Sequence, residues 1–173
     1  MSQITWLALG YNVPVNPSKN RVYVWRKLKE YGASYFRPGV AILPKTSGSL
    51  NGLRTLCTKI HDMGGEAVLA DLHFIEVKDE ERAVRAFHAQ SQGEYMALMD
   101  DCLKLMDSIR SNIIPDICVD SVRKVMRQYR KIKSRDYFGS GYAGEAVRLL
   151  DELAGDIANT AGGLSKQLRA LLD

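Results

Sequence analysis

Residues 20–45, NRVYVWRKLKEYGASYFRPGVAILPK, decide how the rest of the chain is read. The first half has a helical period. Val22, Trp25 and Leu28 recur at i, i+3 and i+6, with Val24 and Tyr31 beside them, so one apolar stripe is expected to face a core. Arg21, Arg26, Lys27 and Lys29 fill the remaining surface. Asn16-Pro17 offers a cap and a pre-set first-turn residue, and Gly32 suits a left-handed terminator. Beyond it, VAILP is too short and too apolar for a helix and reads as a buried strand, separated from Ser34–Arg37 by Pro38-Gly39. The expectation is a basic-faced helix clamped onto a sheet.

Upstream, Ile4–Val13 reads as a first strand. MSQITWLALGYNVP has no basic leader and no small-residue cleavage site, and Gly10 and Asn12 break its apolar run, so no targeting segment is expected. Downstream, KTSGSLNG reads as a polar loop. Leu50–Met63 is the next helix, with Leu53, Leu56, Ile60 and Met63 inward and Gly64-Gly65 ending it. Glu66–Val77 has a strand pattern. The order is strand, helix, strand, strand, helix, strand, which predicts a ferredoxin-like βαββαβ module over residues 1–77.

From Asp79 the pattern turns helical, and its opening acids favour a helix N-terminus. Leu98, Met99, Cys102, Leu103, Leu105 and Met106 point to a partner surface, and Pro115 is expected to break the run. Val119–Lys133 reads as another helix, RDYFGSGYAG as a turn, and Glu145–Asp173 as helix with a weak point at Gly162-Gly163. The predicted class is α+β, with a helical region over 78–173 packed on the module as a second domain or as one continuous domain.

Apolar residues make up 46% of the chain and charged ones 25%, as in an ordinary globular protein. No run of eighteen apolar residues exists, so no membrane span is expected. Cys57, Cys102 and Cys118 are odd in number and unpaired in spacing, which predicts a reducing, cytoplasmic setting. The net charge is only +4, yet it is segregated. Residues 1–63 carry +7, 64–120 carry −7, 121–135 carry +7 and 136–173 carry −3. Local fields of that kind attract a polyanion while the whole stays near neutral.

Three blocks carry a resemblance. VYVWRKLKEYGASYFRPGVAILP at 22–44, IHDMGGEAVLADLHF at 60–74 and KIKSRDYFGS at 131–140 resemble, in matching order, the N-terminal domain of the chromate-resistance regulator family ChrB. The first block is also similar, more weakly, to the core module of the phenylacetic-acid-degradation repressor and to the small ferredoxin-like nuclease of CRISPR adaptation. The ChrB resemblance implies a bacterial transcriptional regulator of chromate or oxyanion stress that binds DNA as a homodimer. Members of that family continue into a second, C-terminal domain, whereas this sequence ends at Asp173. An effector response housed there is then not expected of this chain.

Read residue by residue, the segment Ser121–Arg135 is the leading candidate for DNA contact. Val122, Val125, Met126, Tyr129 and Ile132 form an inward stripe, and Arg123, Lys124, Arg127, Arg130 and Lys131 project from the other side. A rigid row of cations neutralises phosphates and releases counterions. The plainer reading is a solvated face whose cations pair with the acidic 79–120 segment. Arg26, Lys27 and Lys29 form a weaker second patch, with Trp25 between them expected to pack inward. Contacts would go mainly to phosphates, because no helix-turn-helix or winged-helix signature supplies base readers.

Arg135-Asp136 reads as a pair that locks the following turn. Its alternative is an oxyanion site, since a planar guanidinium suits tetrahedral anions. Arg37 and Lys45 are weaker candidates for the same role. Cys57 and His61 share a helix face and Asp71 and His73 a strand face, but neither pair has partners of metal-site spacing, so no metal and no cofactor are expected. The first strand ends without a metal-binding carboxylate, and no phosphate-binding glycine loop, nucleophile elbow or dinucleotide fingerprint is present. No enzyme is expected. The alternatives are a non-DNA dimerisation or interaction module of the same stress operon, and a metal- or redox-handling protein using Cys57 and His61.

Overall fold

The computed structural model describes residues 4–111, 117–158 and 161–172, with the side chains at 117 and 118 left aside. It is a mixed α/β structure. The elements run β1 (Trp6–Asn12), α1 (Ser18–Glu30), β2 (Ser34–Arg37), β3 (Val40–Pro44), α2 (Ser47–Asp62), β4 (Glu66–Leu72), α3 (Val77–Arg110), α4 (Ile117–Arg135), α5 (Ala143–Asp156) and α6 (Gly162–Leu172). The chain forms two compact units, residues 1–87 and 88–173, and the division falls within α3. Pro115, the expected helix breaker, lies outside the described residues.

The first unit is built on a four-stranded sheet of order β2-β3-β1-β4. Every pairing is antiparallel, with Trp6 opposite both Pro44 of β3 and Leu72 of β4. Each crossover therefore skips a strand: α1 connects β1 to β2 across β3, and α2 connects β3 to β4 across β1. Successive side chains of a strand point to opposite faces. On β1, Leu7 and Leu9 are buried on one face and Trp6 on the other. The Trp6 ring meets Phe74 edge-on at 5.7 Å and Phe87 at 5.7 Å, and its Nε1 donates to Glu80 Oε1 at 2.8 Å. Burying an indole requires such a partner for its N–H.

α1 and α2 end in the same way. Gly32 has φ 72° and Gly64 has φ 74°, a region open to glycine at little cost. The amides of Gly32 and Ala33 donate to Lys29 and Leu28, and those of Gly64 and Gly65 to His61 and Ile60. These are Schellman closures, which satisfy the last carbonyls of each helix. The expected terminators are thus found in place.

Other boundaries shift. α2 starts at Ser47 rather than Leu50, because Thr46 caps it: Thr46 Oγ1 accepts from Ser49 N at 3.0 Å and Ser49 Oγ accepts from Thr46 N at 2.8 Å. The Ser-Gly-Ser composition that suggested a loop is the first turn of a capped helix. On α1 the residue at the N-cap is Pro17, with no side-chain cap. The buried stripe of α1 is Val24 and Leu28, while Val22 and Trp25 are exposed at 43% and 49%. β4 ends at Leu72 and α3 begins at Val77, so the expected strand through Val77 is five residues too long.

The second unit has its own core. Leu98, Cys102 and Met106 of α3 meet Val122, Val125, Met126, Tyr129 and Ile132 of α4, Leu150 and Leu153 of α5, and Leu168 of α6. Leu103, expected inward, is exposed. The final helical run divides into α5 and α6, and Ser165 Oγ on α6 donates to the Ala154 carbonyl at 2.7 Å.

Candidate nucleic-acid interface

α4 places its five inward residues at i, i+3, i+4, i+7 and i+10, and all five are buried. The opposite surface follows from that packing. Arg123, Lys124, Arg127, Arg130 and Lys131 are all exposed. Arg123, Arg127 and Arg130 make one row, and Lys124, Arg127 and Lys131 a second, with Arg127 common to both. At 1.5 Å rise per residue the first row spans roughly 10 Å, about three base-pair rises along a duplex axis.

The acidic middle of the chain claims the ends of this helix but not its centre. Lys124 Nζ lies 3.5 Å from Asp101 Oδ2. Arg135 is engaged at both ends of its guanidinium by Glu94, Nε to Oε2 at 2.8 Å and Nη2 to Oε1 at 2.8 Å. Arg123 has only a loose partner on its own helix, Asp120 at 3.9 Å. Among the described residues, Arg127, Arg130 and Lys131 enter no ion pair. Many carboxylates of the acidic segment are used locally instead: Asp79 by Arg82, Glu81 by Arg85, and Asp100 by Lys104.

Gln128 is a polar residue that sequence reasoning missed. Its Nε2 donates to Asp101 Oδ2 at 3.1 Å, while its buried Oε1 has no partner among the described residues. The Gln128 amide, followed by Lys124, holds the Asp101 carboxyl below its usual value, against an opposing push from burial. Position 128 sits between Met126 and Tyr129 of the buried stripe, the one signal in the sequence that marks it.

The three oxyanion candidates are placed separately. Arg135 serves Glu94, and its neighbour Asp136 accepts from the Ser140 amide at 2.9 Å, so this pair of residues locks the turn after α4. Burial first, then Asp136, pushes the Tyr95 phenol up to about 12. Lys45 pairs with Asp71 at 2.6 Å. Arg37 is exposed and makes no ion pair among the described residues. Lys45 and Arg37 stand at opposite ends of β3, roughly 17 Å apart by strand rise.

In the first unit Arg26 is exposed and enters no ion pair among the described residues. Lys27 is held by Glu30 at 2.9 Å, and that hydrogen bond raises its pKa. His61 Nε2 accepts from the Ala67 amide at 3.3 Å. Burial pushes the Cys57 thiol up, and lifts that of Cys102 to about 12. Raised thiols are poor nucleophiles at neutral pH. Among the described residues no group of three or more His, Cys, Asp or Glu side chains is placed to hold a metal, and no helix is long and apolar enough to cross a membrane.

Fold and surface together define a class: a mixed α/β protein with an amphipathic helix whose central cations enter no ion pair among the described residues. The chain belongs to the ChrB N-terminal family, whose model, described as Protein ChrB, N-terminal, matches residues 21–169. It is similar to Protein ChrB of Cupriavidus metallidurans, with 30% identity over 98 residues, which is 57% of this chain and 26% of the relative. The chain thus covers about a quarter of that relative's length. No solved structure matches it.

Proposed function

We propose that this chain is a bacterial transcriptional regulator of chromate or oxyanion-stress resistance, without enzymatic activity, acting in the cytoplasm as a DNA-binding homodimer. The observation that carries the reading is the centre of α4, where Arg127, Arg130 and Lys131 are exposed and enter no ion pair among the described residues. Membership of the ChrB N-terminal family supports the regulatory assignment. The strand order β2-β3-β1-β4 with its two strand-skipping crossovers supports a ferredoxin-like reading of the first unit. Arg26 adds a second cation for phosphate, and Arg37 is the remaining candidate for an oxyanion effector.

Retardation of the chain's own operon promoter DNA, measured across a salt series, tests this. Affinity should fall steeply from low to moderate salt. Arg127→Glu with Arg130→Glu should abolish retardation at moderate salt and flatten the log–log slope by about two, one for each phosphate that is no longer neutralised. Unchanged retardation in the double variant would sink the proposal.

One observation favours a second reading, a non-DNA interaction module. Met96 and Leu103 are exposed at 50% and 55% on α3, spaced as on one helix face. Under that reading, Leu103→Glu changes the oligomeric state while the salt series shows no DNA affinity.

A further inference from the structure

α1 carries more apolar side chains than one buried face can take. Val24 and Leu28 enter the core, while Val22 and Trp25 stay on the surface. There they meet Tyr11 of β1 and Tyr35 of β2, and together with Arg21 these side chains line an open cleft of about 650 Å³. That size is within the range of small-ligand sites. The hydroxyls of Tyr11 and Tyr35 stand 3.2 Å apart, and burial raises the Tyr11 pKa, so its phenol stays neutral and able to donate.

The chemistry of the rim is one-sided. Arg21 makes no hydrogen bond or ion pair among the described residues, and no carboxylate lines the cleft. Lys29 Nζ lies over one face of the Trp25 ring, 5.2 Å from its centre. The one acid on α1, Glu30, is taken by Lys27. Partly exposed aromatic rings bordered by cations suit a ligand that is flat, polar at its edge and attached to an anion. A nucleotide has all three properties, and stacking on aromatic rings between cations is how single strands are held without duplex grooves.

We propose that this cleft holds an unpaired base of a nucleic-acid strand, stacked on Trp25, with Arg21 on an adjoining phosphate. The assignment rests on the nucleic-acid reading above but uses residues separate from α4. It gives the first unit a contact with melted or single-stranded segments, where α4 takes duplex phosphates.

The chain has two tryptophans, and they differ in a way that makes the test direct. Trp6 is fully buried and Trp25 is 49% exposed, so stacking quenches the emission of Trp25 alone. Titration of the full chain with oligothymidylate should quench that component. Trp25→Phe should abolish the optical signal yet keep affinity, read by anisotropy of a labelled oligonucleotide. Trp25→Ala should lower that affinity roughly ten-fold or more, as expected for one stacked base, and Arg21→Ala should weaken it and reduce the salt slope by about one. An abasic oligonucleotide and polyglutamate serve as anions without bases. Quenching by either to the same degree, or no quenching by oligothymidylate, overturns the assignment. If promoter duplex is still retarded in that case, the DNA-binding reading stands and only the cleft falls. If oligothymidylate quenches while the α4 variant retards duplex as well as the parent, the reverse holds.

Discussion

At the scale of single residues, the informative groups are those whose partners decide between structure and recognition. Arg135 read first as part of a lock, with an oxyanion site as the alternative, since sequence shows the guanidinium but not the carboxylate it meets. Glu94, forty-one positions earlier, meets two of its three nitrogens. Asp101 is a similar case with a pH consequence. Its folded pKa is depressed, first by the Gln128 amide, so its contribution to stability is present above the unfolded value and is lost as pH falls through the folded one. Asp101→Asn should therefore lower the urea midpoint near neutral pH, with the gap to the parent closing below about pH 4, the ordinary carboxylate range. A gap that stays constant from pH 7 to pH 2 would show that the carboxylate charge is not what acts there.

At the scale of elements, sequence period identified which segments are helices and strands better than it oriented or bounded them. α1 shows why. Val22, Trp25 and Leu28 form one stripe and Val24, Leu28 and Tyr31 another, and both share Leu28, so period alone does not choose the buried azimuth. The sheet chooses it. Trp25 is thereby left outside, which is why the cleft was not legible in the sequence. α2 shows the converse, a boundary signal present but outweighed by composition, because Thr46-x-x-Ser49 is an unusual form of the capping box. Replacing Thr46 by Ala removes the acceptor for the Ser49 amide, and a loss of about 1 kcal/mol is expected from the urea midpoint at unchanged slope. Thr46→Ser, which keeps the acceptor, should restore most of it. The basic surface of α4 was legible because burial and charge there follow one period without competition.

At the scale of the whole molecule, the two units each close a core of their own, and the aromatic reporters are unevenly shared. Both tryptophans belong to residues 1–87, whereas far-UV ellipticity weighs the helices of both units. Leu150 is fully buried in the second core, and truncating it to Ala should cost about 2–5 kcal/mol. The expected result is a urea transition by ellipticity that moves ahead of the one seen by tryptophan emission; coincident curves would mean that the units unfold as one. The overall α/β order and the charge segregation were readable from sequence, because both are properties of local runs. Pairings between distant side chains were not, because they depend on how the runs are brought together. The surface ion pairs matter little to folding, since exposed pairs of this kind contribute on the order of 0–1 kcal/mol, and both cores are apolar. Brine should accordingly strip the chain from a phosphocellulose column and leave it native, so that elution and denaturation are separable operations for whoever purifies it.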